Sequence, residues 1–207
     1  MLVIVDYDAG NLRSVQRACA KVGMTAEISA DPDLIRRADK VIFPGVGSAE
    51  SAVDTLHQRG QFEALQEVYQ AGKPMLGICL GSQIVLEFSA EGDKDCLGLI
   101  KGVVSKFDFT DRSLKIPHIG WNEVEIVQPH PLLKGIESGD EFYFVHSYFT
   151  RPADKNDIYG MTEYGHPFCS MLGHDNLFAT QFHLEKSGRK GLAILAAFAT
   201  WNGDSQC

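Results

Sequence analysis

The sequence has no stretch that would span a membrane and no basic region that would begin a signal peptide. No apolar run approaches the roughly 18 residues that a transmembrane helix requires. The segment from Met1 to Asp6 is short and apolar, has no basic region before it and ends in an acid, which is typical of a first strand. These absences favour a cytoplasmic protein.

Positive charge is also scarce. The chain has 19 Lys and Arg residues against 27 Asp and Glu residues, a formal net charge of −8. Because nucleic-acid-binding proteins usually present a basic face, this balance argues against a phosphate-backbone partner.

The five cysteines form neither a CxxC pair nor a metal-finger spacing, and their number is odd. This usage suits a reducing compartment better than a disulfide scaffold. Cys79 lies in a distinctive context, whereas we expect the other four to be structural or incidental: Cys19, Cys96, Cys169 and Cys207.

At 207 residues the chain is long enough for one sizeable core and too short for two, so we expect one domain over 1–207. Its first half alternates strands with helices in βαβ order. The predicted strands are 2–6, 25–29, 40–43 and 75–78, and the predicted helical stretches are 11–22, 49–71 and 82–88. This order predicts an α/β fold with a mostly parallel sheet, whose ligands bind just after the strands.

The second half changes to strand-like pieces separated by turn signals, which favours antiparallel or mixed pairing. The predicted strands are 102–109, 123–127, 141–145, 158–162, 168–172 and 177–181. A last helix is predicted over 187–201, with an apolar stripe that closes the domain.

The GxCxG pattern around Cys79 follows the apolar run 75–78 and precedes apolar residues at helical spacing. Glycines on both sides of a cysteine are what a strained strand-to-helix elbow requires, because they let the strand and helix approach while the nucleophile stays exposed. By itself the pattern predicts a cysteine nucleophile, but it also fits a redox sensor or a regulatory surface.

A cysteine nucleophile needs a base, and the base needs a group that orients it. His183 follows directly on the last predicted strand, so we expect it at the edge of the sheet where the carboxyl ends of the parallel strands lie. Glu185 is two residues further on. We therefore predict that His183 is the base and that Glu185 orients its imidazole.

The PGVG segment, residues 44–47, comes directly after the strand 40–43. Its flexible backbone could turn an N–H toward an oxyanion, with the N–H of Leu80 as a second donor. The plainer interpretation is a strand-to-helix turn with Ser48 as the helix N-cap.

Two further strings, 116–122 and 143–149, mix aromatic, histidine and hydroxyl side chains. This composition suits a pocket lining or an interface. It equally suits core aromatic residues with polar tips, and periodicity does not decide between the two.

Several separated strings give the chain a specific resemblance to the class I (triad) glutamine amidotransferases, and among them to the HisH family of glutaminase subunits of imidazole glycerol phosphate synthase. The resemblance runs from Asp6 to about Ser187 and rests on DYDAGNLRSV at 6–15, PGVG at 44–47, GICLG at 77–81, PHIGWN at 117–122, FVHSY at 144–148 and QFHLE at 181–185. It implies a single-domain, flavodoxin-like α/β fold with an antiparallel extension.

The resemblance also implies an activity, the hydrolysis of glutamine to glutamate and ammonia through a γ-glutamyl thioester. It assigns Cys79 as nucleophile, His183 as general base and then acid, and Glu185 as its orienting partner. The positions that match oxyanion and substrate-binding sites of the family are Gly45, Val46, Gly47, Leu80, Gln83, Ser147 and Tyr148.

The implied partner is HisF, a (β/α)8 barrel synthase that receives the ammonia through a channel. HisF adds it to the nucleotide-derived substrate PRFAR, giving imidazole glycerol phosphate and AICAR. Residues near the partner face of the family match Asn11, Trp121, Tyr143 and Lys186. The resemblance implies a heterodimer and neither a metal nor an organic cofactor.

Two positions depart from the usual family patterns GxCLGMQ and HPE, because Ser82 replaces the Met and Leu184 replaces the Pro. Neither change deletes a reacting group. A paralogue that feeds ammonia to another synthase, such as one that forms amidino sugars, is the nearest alternative function.

Overall fold

Five parallel strands form the centre of the sheet in the computed structural model, which describes residues 1–204; Cys207 lies outside the described residues. Their order across the sheet is β2-β1-β3-β4-β13. They are β1 (Leu2–Val5), β2 (Ala26–Ser29), β3 (Lys40–Gly45), β4 (Met75–Cys79) and β13 (Leu177–Thr180). The predicted parallel core is confirmed, and each of these strands lies within about two residues of its predicted bounds.

Within residues 1–204, six helices flank this sheet. They are α1 (Leu12–Lys21), α2 (Pro32–Arg37), α3 (Ala49–Gln58), α4 (Gln61–Gln70), α5 (Leu80–Ile84) and α6 (Gly188–Thr200). The predicted helical stretch 49–71 is two helices, because Gly60 between them has a positive φ of 65°. Helix α2 was not predicted, although Asp31 caps it and Pro32 occupies its first turn.

The second half adds mostly antiparallel strands beyond β13, as predicted. They are β5 (Phe88–Ser89), β6 (Lys94–Asp95), β7 (Gly102–Lys106), β8 (His118–Ile126), β9 (Asp140–His146), β10 (Tyr148–Pro152), β11 (Ile158–Glu163) and β12 (Pro167–His174). Strand β8 begins five residues before its predicted start at Glu123, because His118 to Asn122 pair with β9. Strands β5, β6 and β10 were not predicted.

The prediction of a helix over 82–88 is wrong at its C-terminal end, since α5 stops at Ile84. The backbone beyond it bonds elsewhere: the N–H of Glu87 donates to Gly102, and the N–H of Leu97 donates back to Ile84. Phe88 then pairs with β7. The apolar spacing in this segment reflects burial in the sheet and not a helical face.

Alternate residues of the parallel strands face two apolar layers. Leu2 and Ile4 of β1 pack with α1 and α6, whereas Val3 and Val5 of the same strand pack with α2, α3 and α4. Within residues 1–204, none of the helices has the length and apolar character needed to cross a membrane. The four cysteines in this range are free thiols.

Candidate active site

The elbow at Cys79 is formed by the last residue of β4 and the start of α5. Cys79 has φ 55° and ψ −108°, a conformation that is strained for any residue with a Cβ. A side chain on Gly81 would overlap the carbonyl oxygen of Phe43, and a Cβ on Gly77 would lie 2.9 Å from that of Ala179. Both flanking glycines are therefore required for the close approach of strand and helix.

His183 and Glu185 form a buried pair beside this elbow. His183 Nδ1 lies 2.7 Å from Glu185 Oε1, and the two side chains are 2% and 1% exposed. The backbone N–H of His183 donates to the carbonyl of Tyr143 on β9 at 3.0 Å, which fixes the backbone of His183.

The charge state of His183 follows from these neighbours. Burial alone lowers the pKa of the imidazole, but interactions with Cys79 and then with Glu185 outweigh it and raise the pKa to about 9. Among the described residues, Nε2 of His183 has no hydrogen-bond partner. The arrangement therefore favours a proton on the imidazole opposite the sulfur at neutral pH.

Asn11 also binds this pair. Its Nδ2 donates to the same Oε1 of Glu185 that faces His183. Asn11 has a left-handed conformation, with φ 75°, at the start of α1. The family resemblance implies a place at the partner face for Asn11, and the structure places its amide against the Glu185 carboxylate.

A cavity of about 420 Å³ opens over Cys79. Its lining includes six residues predicted from the sequence: Val46, Gly47, Leu80, Gln83, Ser147 and Tyr148. Gly45 lies beneath it, paired in register with Cys79. A larger cavity of about 840 Å³ between Ile126 and Ile136 is lined by none of Cys79, His183 and Glu185, so size alone does not identify the site.

The PGVG segment is held from below by Tyr7, a residue that the sequence analysis did not identify. The Tyr7 hydroxyl donates to the carbonyl of Pro44 at 2.8 Å, and a side chain on Gly45 would overlap that hydroxyl. Burial, and then the charge of Cys79, raise the pKa of Tyr7 well above its usual value, so the hydroxyl keeps its proton. The position of Tyr7 directly after β1 was the available signal.

The plainer interpretation of this segment is also present in the structure. The Ser48 hydroxyl accepts from the N–H of Ser51 at 3.3 Å and caps α3. Gly47 has φ 104°, which a side chain would disfavour. The segment is thus a strand-to-helix turn that also lines the cavity over Cys79.

Three of the four residues assigned to a partner face lie together. The Lys186 ammonium lies 5.6 Å from the centre of the Tyr143 ring, and the Trp121 ring lies 6.1 Å from it, edge to face. Trp121 is 53% exposed and Ile119, on the same strand, is 59% exposed. An exposed apolar patch of this kind beside a cavity is typical of an interaction surface.

The two departures from the family patterns are accommodated in the core. Ser82 is fully buried, and its hydroxyl donates to the carbonyl of Cys79 at 2.7 Å. Leu184 is also buried and begins the short 3-10 helix Leu184–Lys186, which brings Glu185 back to His183. With both replacements present, His183 Nδ1 still lies 2.7 Å from Glu185 Oε1.

Within residues 1–204, no group of three or more His, Cys, Asp or Glu side chains is arranged to hold a metal ion.

Comparison with known proteins identifies the family. The family model for glutamine amidotransferase class-I matches residues 3–200. The "Imidazole glycerol phosphate synthase subunit HisH" of Maridesulfovibrio salexigens is 46% identical over 203 residues, covering 96% of this chain and 95% of that protein. The protein of the same name from Nitratidesulfovibrio vulgaris strain DP4 is 48% identical over 203 residues, with 96% and 95% coverage.

The fold has solved counterparts. The structure of PurLQS from Thermotoga maritima superposes with a TM-score of 0.74 at 17% identity and covers 96% of each chain. At that identity the likeness shows the fold alone.

Proposed function

The chain belongs to the glutamine amidotransferase class-I family, and on that premise we propose that it is the glutaminase subunit of an imidazole glycerol phosphate synthase. The observation that carries the proposal is the buried contact of His183 with Glu185 beside Cys79, at the base of an open cavity. A strained elbow, a base and an orienting carboxylate are the parts that acyl transfer through a cysteine requires.

The first half of the reaction forms the thioester. The Cys79 thiolate attacks the carboxamide carbon of glutamine, and the carbonyl electrons move to the oxygen. When the tetrahedral intermediate collapses, the C–N bond breaks and His183 gives its proton to the nitrogen, which leaves as ammonia. Glu185 holds the imidazole in place throughout and Asn11 holds Glu185, since His183 Nδ1 and Asn11 Nδ2 both bind Oε1 of Glu185.

The second half releases glutamate. His183, now neutral, takes a proton from water as the oxygen attacks the thioester carbon. The C–S bond breaks, the thiolate returns, and one glutamine and one water have become glutamate and ammonia. The same nitrogen of His183 serves both halves, because Nδ1 is committed to Glu185.

Substrate and oxyanion contacts come from the cavity lining. We assign glutamine binding to Gln83, Ser147 and Tyr148, and oxyanion stabilisation to the N–H of Leu80 and the backbone of Gly45 to Gly47. In support, all of these except Gly45 line the cavity with Cys79, and Gly45 is paired with Cys79. A preorganised donor of this kind contributes roughly 3 to 4 kcal/mol to lowering the barrier.

The partner is a HisF-type (β/α)8 barrel, which uses the ammonia to convert PRFAR to imidazole glycerol phosphate and AICAR. The relatives at 46% and 48% identity are named as subunits of that synthase. The exposed Trp121 and Ile119, with Tyr143 and Lys186 next to the cavity, offer the docking surface on this chain.

Reconstitution with a barrel subunit tests the function and its acceptor together. With glutamine and PRFAR, the complex is expected to form imidazole glycerol phosphate. The Cys79→Ala complex is expected to form it from ammonium salts but not from glutamine. Glutamine hydrolysis without any imidazole product would contradict the acceptor and favour a paralogue that supplies another synthase.

A further inference from the structure

Two buried histidines lie outside the triad but next to it. His118 on β8 and His146 on β9 are paired in register, with His118 Nδ1 3.0 Å from His146 Nε2. They are 3% and 6% exposed. Burial lowers the pKa of His118 to about 4, and burial together with nearby charges lowers that of His146 to about 3, so both rings are neutral at pH 7.

The hydrogen-bond partners fix the direction of each proton. The Tyr148 carbonyl can only accept, so His146 Nδ1, 2.7 Å away, carries a proton and donates it. Nε2 of the neutral His146 must then accept, which makes Nδ1 of His118 the donor. Nε2 of His118 in turn accepts from Asn122 Nδ2 at 3.3 Å, and that amide also donates to the carbonyl of Glu163 at 2.9 Å.

The hydrogen-bond network continues from the same Tyr148 carbonyl toward Cys79. Gln83 Nε2 donates to it at 2.9 Å and donates to Gln181 Oε1 at 3.1 Å. Since Oε1 of Gln181 accepts that bond, its Nε2 faces the Cys79 sulfur, 4.0 Å away. Both glutamine side chains are buried, at 4% and 0% exposure.

We propose that this relay, defined as His118, His146, Gln83 and Gln181, is a positioning device for the nucleophile. By holding the Tyr148 carbonyl, His146 sets the orientation of the two glutamine amides, so that an N–H of Gln181 points at the sulfur and stabilises the thiolate. The proposal rests on the proposed role of Cys79. The relay begins on β8, the strand whose outward side chains include the exposed Ile119 and Trp121, so it joins that surface to the site.

The test compares two variants of nearly the same shape. Asparagine at position 146 keeps an amide N–H at the position of Nδ1, whereas leucine does not. The readout is the rate at which iodoacetamide alkylates Cys79 in the full-length chain, followed by mass spectrometry of the peptide that contains it. Cys79→Ala supplies the background.

Loss of the Gln181 N–H that faces the sulfur is expected to slow alkylation of Cys79 in His146→Leu about threefold to tenfold at pH 7. His146→Asn is expected to stay within about twofold of the wild type. Simple loosening of the core would change the alkylation rate in the opposite direction, because it would expose the thiol and speed its alkylation.

An unchanged or faster rate in His146→Leu, or an equal loss in both variants, would overturn the proposal. If circular dichroism shows that His146→Leu does not fold, His118→Leu and His118→Asn give the same comparison one link further out. Glutamine turnover by a Cys79→Ala complex would instead contradict the proposed function, and the alkylation rates are independent of that result.

Discussion

Replacing Cys79 by alanine and by glycine measures the backbone strain of the elbow. Neither variant has a thiol, and the two differ only by the Cβ that makes φ 55° and ψ −108° unfavourable. Ala179, a fully buried residue on the neighbouring strand β13, provides the matched reference, because its φ is not positive. Ala179→Gly removes the same Cβ where no strain is relieved.

The expected magnitudes follow from three terms. Glycine costs about 0.5 to 1 kcal/mol in backbone entropy at either position. Loss of a buried methyl-sized group costs about 0.8 kcal/mol at either position. Relief of the strained backbone stabilises the folded protein by roughly 1 to 3 kcal/mol, at position 79 alone. The alanine-to-glycine change is therefore expected to be about 1 to 3 kcal/mol more favourable at position 79 than at position 179.

Urea unfolding of four proteins gives this difference: Cys79→Ala, Cys79→Gly, wild type and Ala179→Gly. Equal m-values are required for the comparison, because the difference must arise from stability and not from a changed unfolded state. If glycine is as unfavourable at position 79 as at position 179, the backbone of Cys79 stores no strain, which contradicts the expectation of a strained elbow.

Three further outcomes are expected. Gly45→Ala should lose about 1 to 3 kcal/mol of stability through overlap with the Tyr7 hydroxyl. Adding Tyr7→Phe to the same protein should recover part of that loss, and strict additivity of the two changes in thermal unfolding would contradict the contact. Burial lowers the pKa of His130 from 6.5 to about 4, so its contribution to stability is present above pH 6.5 and is lost as the pH falls toward 4. Between pH 7 and 5 the wild type should lose about 2 kcal/mol more than His130→Asn in urea unfolding, and parallel curves would refute this. Ser82→Ala should lower the free energy of unfolding by about 1 kcal/mol, because it removes the hydrogen bond to the Cys79 carbonyl. Ser82→Met, which restores the family pattern, should lower it by about 1 to 3 kcal/mol by overpacking the core, and a Ser82→Met protein more stable than the wild type would contradict this.

The residues that could be predicted from the sequence are those whose position depends on a strand ending. Cys79 is the last residue of β4 and His183 follows β13, and parallel strands bring their carboxyl ends to one edge. Glu185 follows from its spacing to His183. For these side chains, local pattern and topology together are sufficient to predict proximity.

The contacts that could not be predicted join segments that are distant along the chain. His118 and His146 meet only because of the register of β8 with β9, and Asn11 reaches Glu185 only because α1 lies beside the 3-10 helix at Leu184–Lys186. Register and helix placement depend on side-chain packing over the whole sheet, which periodicity does not specify. The end of α5 at Ile84 has the same cause, since the backbone of residues 84–87 forms hydrogen bonds with Leu97, Leu99 and Gly102.

The covalent intermediate is the most direct test of the account. The complex with the barrel subunit is mixed with isotopically labelled glutamine, quenched in acid within one turnover and digested for mass spectrometry. A γ-glutamyl group is expected on the peptide containing Cys79, and no such group is expected in Cys79→Ala. A label on another residue, or full glutamine turnover by Cys79→Ala, would contradict it.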